Sequence, residues 1–207
     1  MKGLFITFEG GEGAGKSTMI ERARDYFAAN GRQVTLTREP GGTRLAEKIR
    51  KMILGPEHGN LCAEAELLLM FAARAQHLHE LIRPSLAQGH VVLCDRFTDA
   101  SWAYQGGGRG QAEPFIAALE QGVHGDLQPD ITLLLDLPVE LGMKRMANRG
   151  KTDRIEQESK EFFERVRVAY LQRAKNDPKR FRVIDAARDM PSVWDQIEQV
   201  LAGLLSK

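Results

Sequence analysis

The segment Gly10-Gly11-Glu12-Gly13-Ala14-Gly15-Lys16-Ser17 constrains this chain more than any other stretch. It satisfies G-x-x-x-x-G-K-[ST], a phosphate-binding loop that joins a strand to a helix. Both flanks fit. Leu4-Phe5-Ile6-Thr7-Phe8 is a short apolar run rich in aromatic and β-branched residues, which predicts a buried strand. Beyond Ser17, the residues Ile20, Ala23, Tyr26 and Phe27 recur at helical spacing. In that order the loop's backbone N–H groups and the helix N-terminus converge on one anion. Lys16 adds a mobile point charge for a phosphate chain, and Ser17 a hydroxyl for Mg²⁺.

The remaining chain alternates strands with helices. Gln33–Thr37 reads as a strand that runs into Arg38-Glu39-Pro40-Gly41-Gly42. Ligands of open α/β sheets sit beyond the carboxyl ends of strands, so this loop is expected to line the same crevice. Thr43 reads as the N-cap of a helix through Leu54. A helical pattern follows from about Ala63 to Gln88, apolar nearly all round its centre, which predicts central burial or one face against a second subunit. Phe71 and Arg74 share a face; by spacing, a core Phe with Arg at its edge is the simpler reading. His77 and His79 diverge on a helix, so they are expected at the surface or an interface rather than on a metal.

Val91–Cys94 is a third strand. The Asp95 that follows it is placed to face Mg²⁺ or its waters, and Arg96 to clamp an anion. Thr98–Gln105 reads as a short helix and 106–110, with its glycines, as a flexible break. Helices at Pro114–Val123, Val139–Asn148, Ser159–Asn176 and Ser192–Leu205 alternate with strands at Ile131–Asp136 and Phe181–Asp185. The pattern predicts an α/β chain: a three-layer P-loop NTPase fold with a five-stranded parallel sheet flanked by helices, one domain over 1–207. The basic stretch 149–154 is the centre of an expected lid at about 148–160.

Composition narrows the class. At 207 residues and 43% hydrophobic, the chain can fill one sizeable core. A formal net charge of +1 gives no global field toward nucleic acid or an anionic membrane, and neither is expected as a partner. Cys62 and Cys94 are far apart and read as small core residues in a reducing compartment. No leader-like segment or apolar span of about 18 residues is visible, so a soluble cytoplasmic protein is expected. The guanine-specifying N-K-x-D is missing, and Arg96 stands where motor ATPases carry a catalytic acid. Arginines in three loops point to two phosphorylated substrates facing each other. Phosphoryl transfer between them needs charge neutralisation and in-line positioning, under a lid that excludes water.

The combination of Phe8–Thr18, Thr37-Arg38-Glu39-Pro40-Gly41-Gly42-Thr43, Asp95-Arg96-Phe97, Ala103–Gly110 and Asp153-Arg154-Ile155-Glu156 resembles the bacterial thymidylate kinases. The motifs stand in family order along essentially the whole chain. The resemblance implies a nucleoside monophosphate kinase fold, the reaction ATP + dTMP → ADP + dTDP with Mg²⁺, and a homodimer, here through the 63–88 helix region. It implies that Gly10, Gly11, Glu12, Gly13, Ala14, Gly15, Lys16, Ser17 and Thr18 bind ATP, and that Ser17 and Asp95 serve Mg²⁺, partly through water. It implies Phe71 stacked on thymine and Arg74 bonded to the base, with Ser101 and Gln105 at its other polar edge. Tyr104 would pack on the deoxyribose, Arg38 and Arg96 would clamp the dTMP phosphate, and Glu12 would reach the 3′-hydroxyl region. Some members carry a catalytic arginine where this chain has Gly13. The subtype with a basic lid is therefore expected, with Arg149 first and Arg154 second as its source of charge, and Lys151 and Arg145 as alternatives. Lys16, Glu12 and Arg96 complete the implied catalytic set. A P-loop kinase for another nucleoside or nucleotide, and a nucleotide-binding module without transfer, are the competing readings.

Overall fold

The computed structural model describes residues 2–55, 61–147 and 153–205. Strands β1 (Leu4–Glu9), β2 (Val34–Arg38), β3 (Val91–Asp95), β4 (Ile131–Asp136) and β5 (Phe181–Asp185) make one sheet. Their order in space is β2-β3-β1-β4-β5, with every pairing parallel. The chain reverses direction across the sheet between β1 and β3, where a doubly wound sheet opens its ligand crevice.

Both sheet faces are covered, which is why the strands read as continuous apolar runs. On one face Ile6, Phe8, Leu93 and Leu133 pack against α1 (Lys16–Ala29) and α9 (Met190–Leu205) through Met19, Phe27, Val193 and Ile197. Each large side chain so buried contributes about 1.5–3 kcal/mol. On the other face Phe5, Val92 and Cys94 meet Leu78, Ile82 and Phe97. Further along, α8 (Lys160–Asn176) buries Phe162, Phe163, Val166 and Tyr170. Thr43 caps α2 (Arg44–Leu54) as expected, its hydroxyl accepting from Ala46 N at 3.4 Å.

The long helical pattern resolves into α3 (Ala63–His77), a π-helical stretch at Leu78–Ile82 and α4 (Arg83–Ala87). Pro84 explains the widened turn: it lacks an N–H, and its ring crowds the carbonyl one turn back. The expected break at 106–110 is largely helical too. Helix α5 (Thr98–Ser101) runs into a π-helical stretch at Trp102–Gly108. A Cβ on Gly107 would lie 2.6 Å from the Ala169 Cβ, and one on Gly108 2.5 Å from the Phe162 ring. These glycines let the π stretch press against α8 rather than loosen the chain.

The other helices are α6 (Glu113–Val123) and α7 (Val139–Ala147). Residues 153–158 form turns leading into α8; the first part of the expected lid, with Arg149 and Lys151, lies outside the described residues. Cys94 is buried as expected, but Cys62 is exposed at the start of α3. Among the described residues no helix is long and apolar enough to cross a membrane.

Candidate active site

The phosphate loop leaves β1 and enters α1 through residues that only glycine suits. Gly13 sits at φ 72°, and a Cβ there would stand 2.5 Å from the Gly142 carbonyl oxygen of α7. Gly142 has the reciprocal restriction, its Cβ direction meeting the Glu12 carbonyl at 2.5 Å. The backbones of loop and α7 therefore touch, and no arginine fits at position 13. Lys16 Nζ donates to the carbonyls of Gly10 at 3.1 Å and Gly11 at 2.9 Å. Burial, and then the nearby Arg96, lowers its pKa. Arg145 of α7 donates to the Gly13 and Ala186 carbonyls, each at 3.3 Å.

A cleft of about 440 Å³ opens from this loop across the carboxyl ends of β1, β2 and β3. Glu12, Gly13, Ala14, Gly15, Lys16, Ser17 and Thr18 line one end. Gly10 and Gly11 are turned from it, against a smaller recess beside β4 and α7. Asp95 lines the cleft beside Ser17, and its Oδ1 is buried without a hydrogen-bond partner. A buried carboxylate oxygen left unpaired is costly unless a cation or an ordered water completes it. Among the described residues no three acids, cysteines or histidines form a metal cage. A hydroxyl and one carboxylate fit Mg²⁺, which keeps several waters and takes further ligands from substrate phosphates.

Arg96 stands between the two ends of the cleft. Its φ of 67° puts a non-glycine residue in the left-handed region, at a cost of about 1–3 kcal/mol. The neighbouring bonds hold it there: Arg96 N donates to Phe8 O at 2.9 Å, and Phe97 N to Glu9 Oε1 at 2.7 Å. The guanidinium donates to Gly10 O at 2.8 Å and Tyr170 Oη at 3.1 Å, and pairs with the Glu12 carboxylate. Burial alone would lower the Arg96 pKa; Glu12, with Tyr104, Tyr170 and Asp95, outweighs it and holds the group well above its ordinary value. Tyr104 donates to Glu12 at 2.9 Å while its ring lies 4.8 Å beneath the Arg96 guanidinium. Behind them Glu9 is fully buried, its other oxygen accepting from Tyr170 at 2.7 Å. Burial, reinforced by Asp99, raises the Glu9 pKa to about 8.

At the far end Arg74 of α3 is 2% exposed, with every guanidinium nitrogen engaged. Nε donates to Glu39 at 2.6 Å, Nη1 to Ser101 Oγ at 3.2 Å and Nη2 to Phe97 O at 3.1 Å. Gln105 donates to the buried Glu66 at 2.8 Å. Arg38 is half exposed at the mouth, paired with Glu47 at 3.1 Å. The structure thus brings Glu12, Arg38, Arg74, Arg96, Ser101, Tyr104 and Gln105 to one cleft.

Besides Gly10 and Gly11, two expected residues are not there. Phe71 is 2% exposed and packs with Leu67 and Ile116, outside the cleft lining. Met70, four residues before Arg74 and so one helical turn away, takes the wall position instead. Arg154 also turns away. It pairs with the Glu66 carboxylate and donates to Ile53 O at 2.9 Å, whereas Asp153, Ile155 and Glu156 face the cleft. Burial pushes the Glu66 pKa up, but Arg154, Gln105 and Arg109 together hold it low. Arg149 and Lys151 lie outside the described residues.

Sequence reasoning missed Arg50 as well. It reaches the cleft from α2 and donates to Pro40 O at 2.8 Å; burial, then Arg38, lowers its pKa. Its signal was position: the helix that follows a crevice-lining loop carries the next residues along the same wall. His77 is completely buried rather than at the surface, and only His79 is exposed.

A parallel sheet of this order, with a phosphate loop facing a row of arginines across one cleft, defines a P-loop kinase. The thymidylate kinase family model matches residues 8–197. A thymidylate kinase of Pseudomonas savastanoi is 59% identical over 99% of this chain and 98% of its own length. One from Pseudomonas putida is 58% identical over 100% of this chain and 99% of its own. The crystal structure of a thymidylate kinase from Ehrlichia chaffeensis aligns with a TM-score of 0.79 at 35% identity, covering 98% of this chain and 99% of that one. The chain belongs to the thymidylate kinase family.

Proposed function

We infer that this cleft transfers the γ-phosphoryl group of ATP to dTMP, giving ADP and dTDP. The observation that carries the reading is the cleft itself: a phosphate loop at one end, Arg74 with Ser101 and Gln105 at the other, and Arg96 between. An oxygen of the dTMP phosphate attacks the γ-phosphorus, and the oxygen bridging to the β-phosphate leaves with ADP. Little covalent work falls to the protein, so position and charge do most of it.

Each residue then has a place. The loop from Glu12 to Thr18 cradles the ATP phosphates, with Lys16 neutralising charge on the transferring group. Arg96, aided by Arg38 and Arg50, holds the dTMP phosphate in line. Arg74, Ser101 and Gln105 contact the base, with the Met70 side chain against it, while Tyr104 and Glu12 face the deoxyribose. Ser17 and Asp95 would hold Mg²⁺, which when bound would offset phosphate charge. Arg149 is the leading source of positive charge over the transferring phosphoryl, since Arg154 is engaged by Glu66.

The protein is further proposed to act in the cytoplasm as a homodimer. Two free cysteines, one exposed, suit a reducing compartment. Leu68 of α3 and Leu45 and Met52 of α2 are each 47% exposed on neighbouring helices, a face suited to a second copy through the 63–88 region. A monomeric mass at micromolar concentration would contradict the dimer. The acceptor is tested by phosphorylation of dTMP, dUMP, dCMP, AMP and thymidine. A clear preference for dTMP is expected; equal rates across the panel would overturn the assignment.

A further inference from the structure

His77 is fully buried and lies against the residues on either side of Arg38, at the end of β2. Its Nε2 lies 2.6 Å from Thr37 Oγ1, and its Nδ1 3.0 Å from Glu39 Oε1. Thr37 and Glu39 are the chain neighbours of Arg38. A carboxylate at Nδ1 requires a proton there, so the imidazole donates to Glu39, and in its neutral form Nε2 accepts from the Thr37 hydroxyl. The loop closes tightly on the ring: a Cβ on Gly42 would stand 2.4 Å from His77 Nε2.

Glu39 divides its two oxygens between His77 and Arg74. Burial pushes its pKa up, but Arg74, with His77, more than compensates and holds the carboxyl below its ordinary value. A carboxylate anchored at one oxygen presents the other in a fixed direction. That direction sets the plane of the Arg74 guanidinium, which also lies 4.6 Å over the Phe71 ring.

We propose that His77 is a positioning residue for acceptor recognition: through the Thr37–His77–Glu39 chain it orients Arg74 toward the base and fixes the end of β2 that carries Arg38. The proposal rests on the reading of Arg74 as a base contact. His77 lies outside the cleft lining, and removing it leaves Arg74 bonded to Ser101 and Phe97 O while its Glu39 partner loses the anchor at its second oxygen.

The test is steady-state kinetics on the full chain with His77→Leu, His77→Asn, Thr37→Val and Arg74→Ala. Loss of one such bond to a charged group predicts about a 10-fold rise in the dTMP KM for His77→Leu, with the ATP KM within about twofold. The preference for dTMP over dCMP falls in step. His77→Asn keeps an amide N–H where Nδ1 stands and recovers most of the loss, and Thr37→Val gives a smaller rise. Adding His77→Leu to Arg74→Ala changes the dTMP KM little further, because both act on one contact. Equal rises in both KM values, or a lower unfolding midpoint with an unchanged dTMP KM, would overturn the proposal. Should His77→Leu fail to fold, His77→Asn and Thr37→Val carry the same comparison. If Arg74→Ala leaves the dTMP KM unchanged, the base contact itself is wrong and the proposal goes with it. If Arg74→Ala raises that KM and the His77 and Thr37 variants do not, the proposal alone fails.

Discussion

The two ends of the cleft are built by different means. The donor end is backbone: one loop, contiguous in sequence, whose shape depends on glycines and on the touching backbones of Gly13 and Gly142. The acceptor end is side chain, assembled from the end of β2 and the loop after it, α2, α3, the loop after β3, α5 and the π-helical stretch. Its geometry depends on a buried network in which Glu9, Glu39 and Glu66 each hold two or more partners. A backbone site can be recognised from a short motif. A side-chain network depends on which way each helix is rotated, and one residue of rotation exchanges Met70 for Phe71.

The contrast can be broken by mutation, beginning with the donor end. Lys16→Ala is expected to lower kcat about 1,000-fold, by leaving charge on the transferring phosphoryl unneutralised. A near-normal kcat would remove Lys16 from the mechanism. Next comes the pair on α3. Phe71→Ala should cost about 3–5 kcal/mol of stability as a core cavity, seen as a lower midpoint of thermal unfolding. Met70→Ala should raise the dTMP KM about fivefold, the loss of roughly one apolar contact. A larger KM effect from Phe71 than from Met70, at equal stability, would restore Phe71 to the base.

The smallest expected effect is on pH dependence. Glu9 titrates at about 8 in the folded chain against an ordinary 4.5. Between those values the folded state holds a proton that the unfolded chain has released, so this group's contribution to stability falls as pH rises from about 5 to 8. A protonated Glu9 can donate to Tyr170 instead of accepting from it. Glu39, Glu66 and Asp99 are held low and act oppositely, their contributions being lost as pH falls through their folded values. Glu9→Gln should therefore flatten the decline in unfolding midpoint between pH 6 and 8, by an amount read against the parent chain. Parallel declines would show that Glu9 is ionised in the fold.

Much of the fold was legible in the sequence because it follows local rules. The phosphate loop needs its strand and helix, apolar runs separated by helices make a parallel sheet, and Thr43 is a cap by type and place. The family and its reaction were legible because several motifs agree in order. The exceptions share a cause. The glycines at 107 and 108 read as flexible because their partner, α8, is more than fifty residues on. His77 read as a surface residue because its two partners lie on another element. Spacing alone placed Phe71 in the core, where it lies; the base contact was assigned to it by the family resemblance, one position from Met70, which lines the cleft. Arg154 drew a catalytic role from its lid motif, but the buried Glu66 that engages it is nearly ninety residues earlier.

The central claim is that one cleft has a donor end and an acceptor end that can be weakened separately. The KM values for dTMP and ATP in Arg74→Ala test it most directly. Loss of charge-assisted bonds to the base predicts a dTMP KM raised about 10- to 100-fold with the ATP KM within about twofold. Comparable rises for both substrates, or none for dTMP, would contradict it.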